Sequence, residues 1–322
     1  MKVLITGGAG FIGSNIVKLL QQKNYEIVVF DDLSTGYKKN LDEFPDVELI
    51  VGDVRDKSSL SHAMKDCDAV FHLAASIGNV NSLRDPIKYS QVNVLGTLNV
   101  LEAAKLNGVR KIVYSSSAAI FGELRYQPID EKHPVEPDSP YGVSKLAAEK
   151  HCLWFGRTYE IDIVCLRYFN AYGLNQRYDE YGNVIPIWAT LLLQNKPITI
   201  YGDGEQTRDF VDVKDIALAN VLAAEEKGLS GAFNVGSGKS ITINSLASMM
   251  KDVTNRDVDV IYSPPRKGEV LHCLADISLA QTSFGFNPSV DMHDNLVEYV
   301  EWMSKDGISV KAGLKDTLEQ KV

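Results

Sequence analysis

With 322 residues, 45% of them hydrophobic and 23% charged, the chain is long enough for one large domain or two closely joined ones and has the balance of a soluble globular protein. A net charge of -9 without any basic tract excludes nucleic acid as an expected partner, although a single anionic ligand needs only local backbone amides and a few arginines. The four cysteines, Cys67, Cys152, Cys165 and Cys273, form no CxxC pair, so no metal site is expected; they read as reduced thiols of a cytoplasmic protein, and the apolar run after Lys2 is too short for a leader or a membrane span.

Val3-Leu4-Ile5 predicts the first strand, and Phe11, Ile12, Ile16, Val17, Leu19 and Leu20 repeat behind it at helical spacing. Thr6-Gly7-Gly8-Ala9-Gly10-Phe11-Ile12-Gly13 joins the two, with glycines at 7, 10 and 13. Such a loop lets backbone approach a pyrophosphate whose charge then sits at the helix N-terminus; a plain tight turn would use the same residues. Ile27 to Phe30 reads as the second strand and ends at Asp31, 18 residues beyond Gly13. A carboxylate there accepts hydrogen bonds from ribose hydroxyls and repels a 2′-phosphate, which favours NAD over NADP; the competing reading is a turn or cap aspartate.

Further strands are expected at Val47 to Val51, Ala69 to Leu73, Lys111 to Tyr114 and Ile163 to Leu166, with helical patterns between them. Asp53, just after the third, is placed to meet an adenine edge. Near-continuous apolar strands alternating with helices imply an α/β fold, a Rossmann-type doubly wound parallel sheet covered on both faces. The alternation fades after Arg167, and a smaller mixed α/β lobe is expected beyond it. The division is therefore an NAD-binding domain over 1–172 and mainly a substrate-binding lobe over 173–322, with parts of 208–238 returning to the first domain.

Tyr141-Gly142-Val143-Ser144-Lys145 carries the candidate chemistry. On a helix, positions i and i+4 share a face, so the Lys145 ammonium can favour the Tyr141 phenolate and make it a general base. Ser117, after the fifth strand, can hydrogen-bond the same substrate hydroxyl. Tyr-x-x-x-Lys is common by chance as a surface pair; in order after a glycine loop, an acidic strand end and a serine-bearing strand end, it becomes specific.

At this point the chain resembles the extended short-chain dehydrogenase/reductase family, and within it nucleotide-sugar epimerases of the UDP-galactose 4-epimerase type. The resemblance rests on TGGAGFIG at 6–13, DDLSTG at 31–36, GDVRD at 52–56, HLAAS at 72–76, NVLGTLNVLEAA at 93–104, YSSSAAIFG at 114–122, YGVSK at 141–145, LRYFNAYG at 166–173, YGDGEQTRDFV at 201–211, FNVGSG at 233–238 and RKGE at 266–269. It implies that Tyr141, Lys145 and Ser117 are catalytic. It also implies that NAD is held by the glycine loop with Phe11, Ile12 and Gly13, by Asp31, Asp32, Ser34, Thr35 and Gly36, and by Asp53 and Val54. Leu73, Ala74, Ala75, Asn93, Ser115 and Tyr168 would complete that site beside Tyr141 and Lys145. On the substrate side, Asn170 and Ser117 would meet the sugar diphosphate and sugar, Arg208 and Arg266 the phosphates, Glu269 the nucleotide ribose and Tyr201 the base. Asn93 and Asn170 can equally be loop staples, and Arg208 part of a surface ion pair.

The implied reaction inverts C4 of a nucleotide-linked hexose through a transient 4-keto sugar. Relatives that instead carry out 4,6-dehydration bear an Asp-Glu pair just after the catalytic hydroxyl residue; here Ala118-Ala119 follow Ser117. The same scaffold also serves C4 reductases, and a non-catalytic NAD-sensing protein would carry the same glycine loop. Asn79 and Asn81 depart from the valine and arginine of many relatives, which leaves the sugar open. Cys273 falls where relatives place a gate beside the C2 substituent of the sugar, and its small size implies room for an N-acetyl group; a core thiol is the plain competing reading. The helical stretches near 93–107 and 141–155 carry apolar positions that the family uses in a homodimer.

Overall fold

The computed structural model describes residues 1–178, 183–266 and 270–305. The chain runs β1 (Lys2–Thr6), α1 (Phe11–Gln22), β2 (Glu26–Asp31), β3 (Glu48–Val51), α2 (Lys57–Ala63), β4 (Ala69–His72), α3 (Asn79–Arg84), α4 (Pro86–Tyr89), α5 (Gly96–Leu106), β5 (Lys111–Ser117), α6 (Pro140–Tyr159) and β6 (Asp162–Tyr168). It continues with β7 (Asn170–Tyr172), α7 (Val184–Leu193), β8 (Ile198–Tyr201), β9 (Thr207–Arg208), β10 (Phe210–Asp212), α8 (Val213–Glu225), β11 (Gly231–Val235), β12 (Ile241–Thr242), α9 (Ile243–Thr254), β13 (Val260–Ser263), α10 (Ser278–Phe284) and α11 (Met292–Lys305).

Seven strands form one sheet in the order β11-β6-β5-β4-β1-β2-β3, and every neighbouring pair is parallel. Except at the edge strand β3, the strands are largely buried because helices cover both faces: α1 and α8 pack on one, α2, α5 and α6 on the other. Chain order reverses between β1 and β4, and in an open parallel sheet ligands bind beyond the carboxyl ends of the strands at such a switch point. Thr6 ends β1 and His72 ends β4 there, in register with one another.

A separate core gathers α7, α9 and α11 with β8 and β13, around Trp188, Leu192, Leu246, Met250, Leu296 and Tyr299. Helix α9 shows why: Ile243, Leu246, Ala247 and Met250 recur at i, i+3, i+4 and i+7 and are all buried, and Thr242 caps the helix by accepting the Ser245 N–H at 3.0 Å. β11 leaves this region and pairs with β6 in the large sheet. β5 extends three residues past the apolar run and so carries Ser115, Ser116 and Ser117 on the strand itself. The sequence beyond Lys305 lies outside the described residues, and no described helix is long and apolar enough to cross a membrane.

Candidate active site

The glycine loop leaves β1 and enters α1 at the switch point. Gly7 has φ +72°, and a Cβ there would stand 2.7 Å from the Ala74 nitrogen at the end of β4, so the two strand ends close up only because the side chain is missing. A Cβ on Gly13 would lie 2.2 Å from the Gly7 carbonyl oxygen. Gly10 caps α1 without any side-chain hydrogen bond, and the first turn holds no acidic residue. The result is a backbone-lined cradle at a helix N-terminus, the arrangement that suits a phosphate group.

Asp31 ends β2 beside this cradle. The Ala9 N–H donates to one carboxylate oxygen at 3.0 Å and the Leu33 N–H to the other at 2.9 Å, which fixes the carboxylate plane. Burial pushes its pKa up, and those two amides oppose the shift. Gly36 packs so tightly on Ala9 that a Cβ would approach its carbonyl carbon to 2.9 Å. Asp32 takes the Ser34 amide and hydroxyl, while Thr35 is exposed. Asp53 is engaged by the guanidinium of Arg55, which holds its carboxyl below the usual range.

Two successive serines, Ser115 and Ser116, tie the end of β5 to helix α6, and Ser117 follows them. The Lys145 ammonium donates to the Ser115 carbonyl at 2.7 Å. Ser116 Oγ donates to Glu149 at 2.6 Å, and Glu149 is held in turn by Arg167, with Nη2 at 2.7 Å and Nε at 3.1 Å. Ser117 Oγ accepts the Ala119 N–H at 3.2 Å, and the Ser117 hydroxyl acts to lower the Tyr141 pKa. Helix α6 begins sharply because Ser139 caps it through the Gly142 N–H and Pro140 occupies its first turn, so Tyr141 projects from a fixed position.

Electrostatically the pair differs from the simple i, i+4 expectation. Burial is the largest influence on both: it raises the Tyr141 pKa, with Ser117 pulling it down, and lowers Lys145 to about 8. The lysine reaches back to strand β5 and thereby joins the tyrosine's helix to the serine's strand. His72, buried between Thr6 Oγ1 at 2.7 Å and Thr97 Oγ1 at 2.9 Å, is pushed down to about 3 and stays neutral beside Lys145.

Two expected cofactor residues have their polar groups committed inside the protein. Asn93 accepts the Ser76 N–H at 2.7 Å and donates to the Ser76 carbonyl and to Ser144 Oγ, stapling the segment after β4 to α6. The Tyr168 hydroxyl donates to Asn220 at 2.9 Å. Val54 is buried under Gly96; Leu73, Ala74 and Ala75 follow β4 at the switch point, partly exposed.

On the other side, Asn170 Nδ2 donates to the Asp209 carbonyl at 2.9 Å. Arg208 donates to the Thr207 carbonyl at 2.9 Å, and the Cys273 N–H reaches the same oxygen at 3.2 Å. Burial raises the Cys273 thiol to about 11, so it stays a neutral, half-buried wall. The Arg266 guanidinium stacks on Tyr201 with its central carbon 3.9 Å from the ring centroid. Glu269 lies outside the described residues.

Sequence reasoning missed Asp209, the hub of this side. Its buried carboxylate accepts the amides of Ser237, Gly238 and Ala275 and the Ser237 hydroxyl. It lies inside the motif at 201–211, but its partners are distant in the chain, so no local spacing reveals its role.

Comparison with known proteins agrees over nearly the whole length. Residues 3–236 match the NAD dependent epimerase/dehydratase family. The chain is 40% identical over 306 residues, 94% of its length and 99% of the other's, to a provisionally named UDP-glucose 4-epimerase of Methanocaldococcus jannaschii. It resembles the structure of UDP-glucose 4-epimerase with UDP-glucose from Thermotoga maritima at a TM-score of 0.90 and 36% identity, covering 95% of this chain and 99% of that one. It resembles equally the UDP-N-acetylglucosamine 4-epimerase of Methanobrevibacter ruminantium in complex with UDP-N-acetylmuramic acid, with a TM-score of 0.90, 39% identity and coverage of 95% and 98%.

Proposed function

The chain belongs to the NAD-dependent epimerase/dehydratase family, and we propose that within it this protein is an NAD-dependent 4-epimerase of UDP-linked hexoses. The observation that carries the reading is the Lys145 bond to Ser115, which anchors the helix of Tyr141 to the strand end that bears Ser117, with Ala118-Ala119 following where elimination would need an acid and a base. The backbone cradle of Gly7 and Gly13 and the oriented Asp31 carboxylate fit NAD, since a dinucleotide needs close backbone approach and a ribose acceptor.

The chemistry supplied by bound NAD is reversible hydride uptake at C4 of the sugar. Tyr141 removes the proton of the 4-hydroxyl, and the Ser117 hydroxyl steadies the resulting oxygen. Lys145 keeps a cation at this end of β5, which favours phenolate. After the 4-keto sugar has turned over, Tyr141 returns the proton to the opposite epimer. Asn170, Arg208, Arg266, Glu269 and Tyr201 hold the nucleotide diphosphate, and NAD is neither consumed nor released in a cycle.

Cys273 leaves space beside C2 of the sugar, so N-acetylated hexoses are accepted as well as plain ones. The relative from Methanobrevibacter ruminantium, named for an N-acetylated sugar, supports this range. The protein works as a homodimer in the cytoplasm: α3, α4, α5 and α6 expose Leu83, Ile87, Leu106, Val143 and Trp154, apolar surface that a second copy would cover, and the four thiols are unpaired. A dimeric mass by light scattering is expected. Incubation with a panel of UDP- and dTDP-hexoses, with products separated by chromatography, tests the activity. Conversion of UDP-galactose to UDP-glucose supports it, and a 4-keto-6-deoxy product would establish the dehydratase reading in its place.

A further inference from the structure

A contact on the far flank of the glycine loop belongs to none of the expected site residues. The loop 36–40 hangs on the cradle through Ala9, whose carbonyl accepts the Tyr37 N–H at 3.0 Å and Asn40 Nδ2 at 2.9 Å. From the opposite side, the segment after β7 is pinned to the first turns of α1: Asn15 Nδ2 donates to both the Phe11 and Leu174 carbonyls at 2.9 Å, and Asn175 Nδ2 donates to Ser14 Oγ at 2.9 Å. These two flanks are joined by one residue pair. Arg177 Nη1 donates to the Tyr37 hydroxyl at 2.8 Å, with the guanidinium carbon 5.4 Å from the centre of the same ring. Lys39 places a second cation 5.5 Å from that ring.

We propose that Arg177 and Tyr37 form a clasp that retains the dinucleotide, bridging the two flanks of the glycine loop and bringing positive charge to where its phosphates lie. This rests on the NAD reading above. The physical argument has two parts. The pyrophosphate of a dinucleotide carries two negative charges, and in a chain of net charge -9 two cations converge on one tyrosine at the cradle's rim. A bridge tied to Ala9 on one side and to α1 on the other must part before a ligand seated between them can leave, so it acts on the dissociation rate. For a reaction in which the cofactor is reoxidised in place, slow release is an advantage.

The test is cofactor exchange, read without turnover. Wild type, Arg177→Ala and Tyr37→Phe are loaded with NAD, and its release is followed by chase with excess fluorescent etheno-NAD. Loss of charge-assisted contacts predicts release at least about tenfold faster in Arg177→Ala. Tyr37→Phe keeps the ring and loses the hydroxyl, and an intermediate acceleration is expected; it also serves should Arg177→Ala fail to fold. Wild-type release rates in both variants would overturn the clasp while leaving NAD binding intact. Wild-type protein that takes up no NAD would overturn the clasp together with the function it rests on.

Discussion

Lys145 Nζ lies 2.7 Å from the Ser115 carbonyl oxygen, so helix α6 is fastened to the strand that presents Ser117. One contact thereby fixes the distance between the two elements that carry Ser117 and Tyr141. It also places an ammonium in a buried position, where its charge is costly and its pKa falls to about 8.

A pH dependence follows. The ammonium is present below about 8 and lost above it, so kcat should decline on the alkaline side with an apparent pKa near 8. Lys145→Arg, slower because its planar fork fits the pocket poorly, stays charged and should lose that decline. An alkaline limb unchanged in the arginine variant would assign it to another group.

Tyr141→Phe should lower kcat by about 10²–10⁴-fold, the usual worth of a general base, while its NAD content stays that of wild type. Steady-state rates with UDP-galactose, paired with assay of nucleotide released on denaturation, check both parts. Wild-type turnover in this variant would rule out the proposed mechanism.

Arg167 and Glu149 form a buried ion pair beneath the site, with side chains 5% and 0% exposed. Arg167→Met leaves the carboxylate uncompensated and should cost about 3–5 kcal/mol in urea unfolding. Adding Glu149→Gln should restore much of the loss, since the lone charge is then gone. A double variant as unstable as the single one would mean that packing, not charge, dominates there.

Asp212 caps α8 through the Lys214 N–H, yet its second carboxylate oxygen is buried without a partner among the described residues, and burial raises its pKa to about 7. A raised carboxyl binds its proton more tightly folded than unfolded, so this group makes the fold less stable as pH rises from about 4 to 7. Asp212→Asn keeps the cap and removes the charge. It should raise the thermal midpoint at pH 8 by an amount that shrinks toward pH 4. A gain independent of pH would show that desolvation of the charge is not its source.

Cys273→Tyr should suppress kcat/KM for UDP-N-acetylgalactosamine while largely sparing UDP-galactose, because the phenol ring fills the space an N-acetyl group needs. Equal loss on both sugars, or no activity of wild type on the N-acetylated one, would refute the gate.

The sequence by itself determined the sheet and the glycine loop, and it singled out Ser117, Tyr141 and Lys145 as the candidate trio. Continuous apolar strands, a glycine loop between a strand and a helix, and Tyr-x-x-x-Lys are local patterns, set by dihedral preference and by the period of burial. Local pattern also placed Asp31, because it closes a strand. It did not reveal the anchor. The i, i+4 spacing put Lys145 on the face of Tyr141, and folding in addition ties the ammonium to Ser115, thirty residues earlier in the chain. Only the tertiary structure decided that Asn93 spends its amide as a staple between the segment after β4 and α6, that Asp209 holds three distant loop amides, and that Arg177 meets Tyr37 across the glycine loop. Each of these joins residues far apart in sequence. A buried polar group takes whatever partner the packed chain brings within about 3 Å, and no local periodicity encodes which one that is.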